Sequence, residues 1–417
     1  MIDIKALIDA NRAGDAKGLP CFCTANEHVI QAVLAFAAKT GLPTVIEATC
    51  NQVNQDGGYT GMTPADYMAW VKGLAAKAGV PMDQVVMGGD HLGPNPWRKE
   101  PATVAMEKAR ELVRLYVAAG FRKIHLDASM PLGGEPALTF EQVAERAADL
   151  CVVAETHAPD PEQLIYIIGT EVPIPGGETD AMDALDITSV SRLEDTITTH
   201  REAFSKRGLG AAWARIVSVV TQPGVDFSHT SVFKFDPAPA KPLADAILAE
   251  PRMSYEAHST DYQPTASLAQ LVKSHFFFLK VGPELTFRFR EAVFALAELE
   301  ILIAPAAPSH MKEIIARRMV ENDSYWRDYY QGTAEEIAML RSFSYSDRIR
   351  YYWSDPEVAA ALAHLIQNLK DAHLSETVVS QYFSGLEFGD IPTNPEDLIS
   401  RHIEACVRRY FIATGAL

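Results

Sequence analysis

The sequence has no apolar run long enough to cross a bilayer and no excess of positive charge. A transmembrane helix needs about 20 consecutive apolar residues, so we do not expect a membrane protein. The 54 acidic residues outnumber the 37 basic residues, and the formal net charge is −17. This balance argues against nucleic acid or an anionic membrane as a partner, although a few local donors could still bind a small phosphorylated substrate.

Cysteine is scarce, and its spacing indicates neither a disulfide framework nor a metal clip. The five cysteines are Cys21, Cys23, Cys50, Cys151 and Cys406, and most of them lie in apolar runs. Their odd number and their surroundings suit reduced thiols in a cytosolic protein. Cys21 and Cys23 form a C-x-C pair, for which two small strand residues are favoured over a metal clip because no second pair follows.

Three further local signals are missing. The first residues carry mixed charges and lack the basic and apolar regions of a secretion signal, so we expect a cytoplasmic location. No GxxxxGK[ST] loop is present, which argues against a sugar-phosphate kinase with that phosphate cradle. No GxGxxG motif follows the first β-rich segment, which disfavours a doubly wound open sheet.

Short β-rich segments alternate with amphipathic helical segments along the first three quarters of the chain. The helical segment 64–79 has proline in its first turn, and the segment 102–120 ends on a glycine suited to a left-handed cap. Eight strands, each followed by a helix, predict an α/β fold of the (β/α)₈ TIM-barrel type. The predicted strands are 19–25, 43–49, 84–90, 121–129, 164–172, 214–222, 252–259 and 275–282.

The composition changes after the last predicted barrel helix, residues 284–304. A Pro/Ala-rich break follows, and then come helix-like segments with many aromatic residues, including 324–330 and 342–353. We therefore predict two parts, a (β/α)₈ barrel over 1–304 and a helical C-terminal extension over 305–417.

Polar residues collect where the predicted strands end, and barrel enzymes place their active sites at these ends. Side chains at i and i+2 of a strand share a face, so His125 should point together with Asp127, and Glu256 with His258. Burying an unpaired carboxylate is costly, so this collection predicts a metal, a substrate or a self-satisfied polar network. The strand-end residues are Glu47, Asp90, His91, His125, Asp127, Glu171, Gln222, Glu256 and His258.

The sequence favours a functional role more strongly at some of these strand-end positions than at others. Asp90 and His91 follow two glycines and have the composition of a divalent-metal site with an adjacent proton carrier. His125 is predicted to be a hydrogen-bonded structural residue, because a single strand-end histidine usually is. Lys280 lies in the last predicted strand, but no adjacent residue would depress its pKa, so a Schiff-base role is disfavoured.

Seven longer segments carry a resemblance to a known family: 46-IEATCNQVNQDGGYTGMTPADY-67, 88-GGDHLGPN-95, 124-IHLDASM-130, 168-IGTEVPIPGGE-178, 255-YEAHSTDYQ-263, 280-KVGPELTF-287 and 345-YSDRIRYYW-353. They resemble the family usually called the non-catalytic subunit of class II D-tagatose-1,6-bisphosphate aldolase, from galactitol and N-acetylgalactosamine catabolism. The resemblance covers nearly the whole chain. It implies a catalytic aldolase subunit as a partner, and a barrel of this size also suits a homo-oligomer.

More distantly, the barrel is similar to the catalytic class II aldolases. This similarity implies that Asp90 is the proton-transfer acid, that His91 is a zinc ligand, and that His258 is another ligand. Where those enzymes have a further zinc-binding histidine, this sequence has Gln222. A neutral amide is a poor zinc ligand, so either the affinity is weaker, the metal is harder, or Glu171 completes the set.

The similarity also implies where a sugar phosphate would bind. Loops after the last two barrel strands commonly bind phosphate, and an arginine from the extension could fold over the mouth and bind it bidentately. The alternative for the arginines is pairing with surface acids. The predicted residues are Ser259, Thr260, Gly282 and Arg348 or Arg350 for phosphate, Glu47 and Asp127 for sugar hydroxyls, and Gly176 and Gly177 in a loop after Glu171.

A pure scaffold has no physical need for this collection of acids and imidazoles. We therefore predict an enzyme that depends on a divalent metal, zinc or manganese, and acts on a ketohexose phosphate. A retro-aldol step followed by re-addition would interconvert tagatose 6-phosphate and fructose 6-phosphate by inverting C4. The alternative is a non-catalytic accessory subunit that stabilises a class II tagatose-1,6-bisphosphate aldolase.

Overall fold

A computed structural model of the chain describes residues 2–171 and 185–417. Each of the eight segments predicted to be strands contains one, and a short hairpin follows the sixth. The strands are β1 Leu19–Cys23, β2 Thr44–Thr49, β3 Val85–Leu92, β4 Lys123–Leu126, β5 Ile165–Ile168, β6 Ile216–Val220, β7 Asp226–Phe227, β8 Val232–Phe233, β9 Ser254–Ala257 and β10 Phe276–Val281.

The α-helices alternate with these strands and then continue into the C-terminal region. They are α1 Ile4–Arg12, α2 Glu27–Thr40, α3 Pro64–Ala78, α4 Ala102–Ala119, α5 Phe140–His157, α6 Val190–Lys206, α7 Gly210–Trp213, α8 Pro237–Ala246, α9 Thr265–Lys273, α10 Pro283–Ile303, α11 Met311–Glu321, α12 Ala334–Phe343, α13 Pro356–Ala372, α14 Glu376–Tyr382 and α15 Pro395–Ala413.

The barrel strands are parallel and close in the order β1-β10-β9-β6-β5-β4-β3-β2, which confirms the predicted (β/α)₈ fold. β7 and β8 pair only with each other, in antiparallel orientation. The register between β2 and β3 runs from Thr44 opposite Val85 to Thr49 opposite Asp90. This register carries Asp90 to the C-terminal edge of the barrel, where the predicted site lies.

The local signals for two helices are also confirmed. Thr63 and Asp66 form a capping box at the start of α3, which has proline at its first position. Gly79 ends α3 with a φ of 72°, and Gly120 ends α4 with a φ of 97°. These left-handed caps are conformations that glycine adopts without the steric cost of a Cβ atom.

The two ends of the barrel interior differ in character. At the N-terminal end, Ile4 and Ile8 of α1 belong to the same buried apolar cluster as Leu19, Val45 and Phe277 of the strands. These side chains are nearly inaccessible to water, so α1 closes this end with hydrophobic contacts. The charged residues described below occupy the opposite half.

The C-terminal helices pack onto the barrel rather than apart from it. α15 lies against α2, α9 and α10, and its buried side chains belong to the main hydrophobic core. The division at 304/305 stays a prediction, although α10 ends close to it. Within the described ranges, no helix combines the length and apolar content needed to span a membrane.

The aromatic segments of this region are less helical than predicted. Residues 324–329 form turns, and residues 348–352 form a short 3₁₀ helix, Arg348–Tyr352. Asp347, with a φ of 47°, separates this 3₁₀ helix from α12. A left-handed residue cannot continue a right-handed helix, so this position redirects the chain.

Candidate active site

A cavity of about 490 Å³ opens at the C-terminal ends of the barrel strands. Its barrel wall includes Asp90, His91 and His258, and its opposite wall includes Arg350 and residues of α13. The C-terminal region therefore completes the cavity that the strand ends begin. Both walls carry polar and apolar side chains, as small-molecule sites usually do.

Three imidazoles converge beside this cavity, and two of them, those of His91 and His258, line it. The ring centroids of His91, His125 and His258 lie 4.9 to 5.2 Å apart, and all three side chains are buried. One ligand atom from each of them and one carboxylate oxygen of Asp90 lie within 4.8 Å of one another. We call Asp90, His91, His125 and His258 the histidine group. Such nitrogen and oxygen donors suit zinc or manganese.

Carboxylates orient two of these imidazoles from behind. His91 Nδ1 lies 2.8 Å from Asp127 Oδ2, and His258 Nε2 lies 2.9 Å from Glu256 Oε1. If each of these nitrogens donates its proton to the carboxylate, the other ring nitrogen keeps a free lone pair. Carboxylate–histidine pairs of this kind fix metal ligands in proteins.

His125 supplies an independent sign that a cation fits here. Its Nε2 atom is buried and has no hydrogen-bond partner among the described residues, while its Nδ1 atom lies 3.1 Å from Asp90 Oδ1 and 3.3 Å from the backbone nitrogen of His91. Donation of the Nδ1–H to Asp90 would leave the Nε2 lone pair for a cation. A buried polar atom without a partner is costly. His91 adds a second sign, because its backbone is left-handed with a φ of 48°. Such strain concentrates at functional sites.

Asp90 is an ionised carboxylate at the cavity wall. Its Oδ1 atom forms an ion pair with Lys280 Nζ at 2.7 Å. Burial by itself would raise the pKa of Asp90, but the charges of His91 and Lys280 hold it well below its usual range. In the same site, burial lowers the pKa of His258 to about 4 although Glu256 opposes this shift.

A layer of paired charges lies in the barrel interior beside the histidine group. Lys123 Nζ lies 2.6 Å from Glu47 Oε1 and 2.5 Å from Glu256 Oε2. Lys280 binds the other oxygen of Glu47. Burial would lower the pKa of Lys280, but Asp90 and Glu47 raise it well above its usual range, so its amine is protonated and unsuited to attack a carbonyl.

Two predicted metal ligands lie outside the histidine group. Glu171 accepts a hydrogen bond from Thr188 Oγ1 at 2.6 Å and pairs with Arg192. Gln222 Oε1 accepts backbone N–H bonds from residues 224 and 225, at 2.8 and 2.9 Å. The structure therefore does not bring either side chain to the imidazoles, and His125 lies there instead. Gly176 and Gly177 lie outside the described residues.

Of the residues predicted to bind the substrate, some line the cavity and others do not. Ser259 and Gly282 line the cavity, whereas Glu47, Asp127 and Thr260 do not. Both oxygens of Glu47 bind lysines, and Asp127 binds His91, so neither carboxylate faces a sugar. Thr260 donates its hydroxyl to the carbonyl of residue 280, at 2.6 Å. The Gly282 N–H is already donated to Asp261, at 3.0 Å.

The two arginines of the extension also have different positions. Arg350 lines the cavity, and its donors meet neutral acceptors, including the Tyr351 hydroxyl at 2.9 Å. Arg348 is buried away from the cavity, where it donates to the Tyr325 carbonyl at 2.7 Å and lies over the ring of Tyr329. Neither arginine forms an ion pair with a described carboxylate, so the predicted pairing with surface acids is not observed.

Three residues near the cavity have weak sequence signals for function. The sequence predicts a structural role for His125, disfavours a Schiff base at Lys280 and gives no motif for Lys123. Lys123 precedes His125 by two positions in the same strand, so both point into the barrel. A lysine at an inward position next to a strand-end histidine is a signal that could have identified this buried charge.

Comparison with known proteins shows which family the chain belongs to. A family model described as "D-tagatose-1,6-bisphosphate aldolase subunit GatZ/KbaZ-like" matches residues 4–415. The chain belongs to this family. A GatZ/KbaZ-like relative from Klebsiella pneumoniae subsp. pneumoniae, named D-tagatose-1,6-bisphosphate aldolase subunit GatZ, is 46% identical over 415 residues, which are 98% of each chain.

A solved structure extends the similarity to the whole GatZ/KbaZ-like fold. The protein from Sinorhizobium meliloti 1021, described as a probable tagatose 6 phosphate kinase, is 41% identical and superposes with a TM-score of 0.89. The match covers 95% of this chain and 100% of that one. Barrel and C-terminal helices therefore form one shared architecture in both proteins.

Proposed function

We propose that this GatZ/KbaZ-like protein is a divalent-metal-dependent enzyme that interconverts tagatose 6-phosphate and fructose 6-phosphate by inversion at C4. The observation that carries the proposal is the convergence of His91, His125, His258 and Asp90, three of which line the cavity. The names of the two relatives support the substrate class, because both refer to phosphorylated tagatose.

The histidine group would hold the cation through His91, His125 and His258. When bound, a zinc or manganese ion would polarise the C2 carbonyl of the ketose and so favour negative charge on that oxygen. The carboxylates of Asp127 and Glu256 would keep two of the imidazoles in the tautomer that a ligand requires.

Asp90 would take up the proton of the C4 hydroxyl and later return it. Its carboxylate accepts the proton of the C4 hydroxyl while the C3–C4 bond breaks, the bonding electrons pass to the C2–C3 fragment, and C4 becomes an aldehyde. Rotation of the aldehyde within the cavity presents its other face. The C3–C4 bond then forms again, Asp90 returns the proton to the C4 oxygen, and no redox change occurs. Departure of the two fragments would instead make the enzyme an aldolase.

Arg350 would bind the phosphate at the opposite wall. Its guanidinium donates to the backbone carbonyls of residues 346 and 347 and to Tyr351, which are all neutral acceptors. Its positive charge is thus available to an anion, and charge-assisted bonds to phosphate are stronger than bonds to neutral groups. Phosphoryl transfer is disfavoured, because the sequence lacks the GxxxxGK[ST] cradle.

The test uses the purified protein without any partner. Tagatose 6-phosphate is added with Mn²⁺, with Zn²⁺ or with a chelator, and fructose 6-phosphate is measured. We expect metal-dependent turnover that Asp90→Asn abolishes. If neither the mono- nor the bisphosphate turns over with either metal, the accessory-subunit alternative, which the name of the Klebsiella relative suggests, takes its place.

A further inference from the structure

We propose that Lys123 is a positioning residue that fixes the metal ligand His258 through Glu256. Lys123 does not line the cavity and reaches no substrate, so any effect on the site must pass through its partners. The inference rests on the metal-dependent function proposed above. It identifies a residue that would determine how tightly the proposed site binds its divalent metal.

Lys123 crosses the barrel interior to reach those partners. It lies on β4, whose neighbours in the barrel are β3 and β5, yet its ammonium contacts Glu47 on β2 and Glu256 on β9. Its side chain is fully buried, as are both carboxylates. Below the ammonium, the ring of Phe278 faces Nζ at 4.9 Å from the ring centroid. One cation thus ties three sides of the barrel together.

Each carboxylate uses its two oxygens for two different tasks. Glu256 binds Lys123 with Oε2 and His258 with Oε1, and Glu47 binds Lys123 with Oε1 and Lys280 with Oε2. Lys280 in turn contacts Asp90. Lys123 is therefore the shared counter-ion of two chains of contacts, one to the metal ligand His258 and one to the acid–base residue Asp90.

Removing the ammonium would release Glu256 from this geometry. A buried carboxylate without its counter-ion is strongly disfavoured, so Glu256 would turn away from its present position. The Nε2–H of His258 would then lose its fixed acceptor, and the opposite nitrogen would no longer be held toward the histidine group. Loss of such an outer partner of a metal-binding histidine typically weakens metal binding by roughly 10- to 100-fold.

The experiment measures Co²⁺ affinity by competition with a chromophoric chelator, and it records the Co²⁺ absorption spectrum. We expect Lys123→Met and Glu256→Gln each to weaken binding by roughly 10- to 100-fold, and the double variant to be no weaker than either. Arg290→Met is the matched control, since Arg290 is also a buried cation that does not line the cavity, but it lies over phenylalanine rings instead of contacting Glu256. It should lose stability and keep the affinity for Co²⁺.

Three outcomes would overturn the inference. Wild-type affinity in Lys123→Met, or losses that add in the double variant, would show that Lys123 does not act through Glu256 while leaving the proposed function intact. Absence of Co²⁺ binding by the wild type would overturn the inference together with the metal site. If Lys123→Met does not fold, Lys123→Gln/Glu47→Gln removes one charge of each sign and carries the same expectation.

Discussion

Lys280 on β10 places its ammonium 2.7 Å from a carboxylate oxygen of Asp90 on β3, so this ion pair crosses the mouth of the barrel. Both groups line the cavity, and the pair holds Asp90, the proposed acid–base residue, as a carboxylate. A lysine in this position could be mistaken for a nucleophile. Its raised pKa and its two carboxylate partners make it a counter-ion instead.

The first prediction follows from this pairing. Borohydride added to the protein together with tagatose 6-phosphate should leave the protein mass unchanged, because protonated Lys280 forms no Schiff base. Lys280→Met should reduce kcat by at least about 100-fold, since Asp90 loses its counter-ion. A reduced adduct in the mass spectrum, absent from Lys280→Met, would contradict this role.

The second prediction distinguishes the proposed metal ligands from Glu171 and Gln222, which lie outside the histidine group. His125→Asn should weaken Mn²⁺ or Zn²⁺ binding as much as His91→Asn does, because both imidazoles belong to the histidine group. Glu171→Gln and Gln222→Ala should change the affinity by less than about threefold, because their oxygens are engaged elsewhere. Isothermal titration of the metal-free proteins measures this. Larger losses of metal affinity in Glu171→Gln and Gln222→Ala than in His125→Asn would instead support the ligand set that the aldolase similarity implied.

The third prediction distinguishes the two arginines. Arg350→Met should raise KM for the sugar phosphate by roughly 10- to 100-fold, which is the usual value of hydrogen bonds to a charged group. Arg348→Met should lower the melting temperature and leave KM within about threefold, because its guanidinium binds Tyr325 and lies over Tyr329. Steady-state kinetics with both variants decides the point, and equal effects on KM would contradict the assignment.

The fourth prediction concerns pH and a residue remote from the site. Burial lowers the pKa of His200 to about 4, and its Nε2 atom has no partner among the described residues. The unfolded chain, with an ordinary pKa near 6.5, binds the proton more readily, so stability is full above that pH and falls as the pH drops toward 4. Between pH 7 and pH 5 the loss should be about 2 kcal/mol.

Urea unfolding at the two pH values tests this expectation. His200→Leu should remove that part of the pH dependence. His157→Gln, at an exposed position, should keep it. An unchanged pH dependence in His200→Leu would show that other groups dominate.

The fifth prediction tests the attachment of the C-terminal helix. The Tyr410 hydroxyl of α15 donates to the Thr260 carbonyl at 2.8 Å, next to the strand-end residues of β9. Tyr410→Phe leaves that buried carbonyl with one partner fewer and should cost about 1 to 3 kcal/mol in the free energy of unfolding. Tyr382→Phe, at an exposed tyrosine, should change it by less than about 0.5 kcal/mol. Equal changes in the free energy of unfolding of the two variants would show that the hydrogen bond from Tyr410 to Thr260 does not stabilise the fold.

The fold was predictable because its signals are local. Strand and helix periodicity, the cap at Gly120 and the position of Asp90 at a strand end can each be read from a short window. The pairing of Glu256 with His258 was also predictable, and the structure places their side chains 2.9 Å apart. This contact forms although β9 ends at Ala257, so the alternation of side chains continues one residue beyond the strand.

The remaining contacts of the site join residues that are far apart in the sequence. β4 ends at Leu126, so Asp127 lies one residue beyond the strand, where it pairs with His91 of β3. His125 then meets Asp90. In the extension, the backbone turns at the left-handed Asp347, and Arg350 lines the cavity while Arg348 does not; no residue spacing reveals this difference.

The participation of the C-terminal region in the cavity wall has a consequence for biosynthesis. A chain that leaves the ribosome from its N-terminus completes β10 before Arg350, α13 and α15 have been made. Until then, the groove between α2, α9 and α10 lacks α15, and the imidazoles have no opposite wall. The nascent barrel therefore exposes apolar surface that α15 later covers, and the cavity gains this wall only after Arg350 and α13 have emerged.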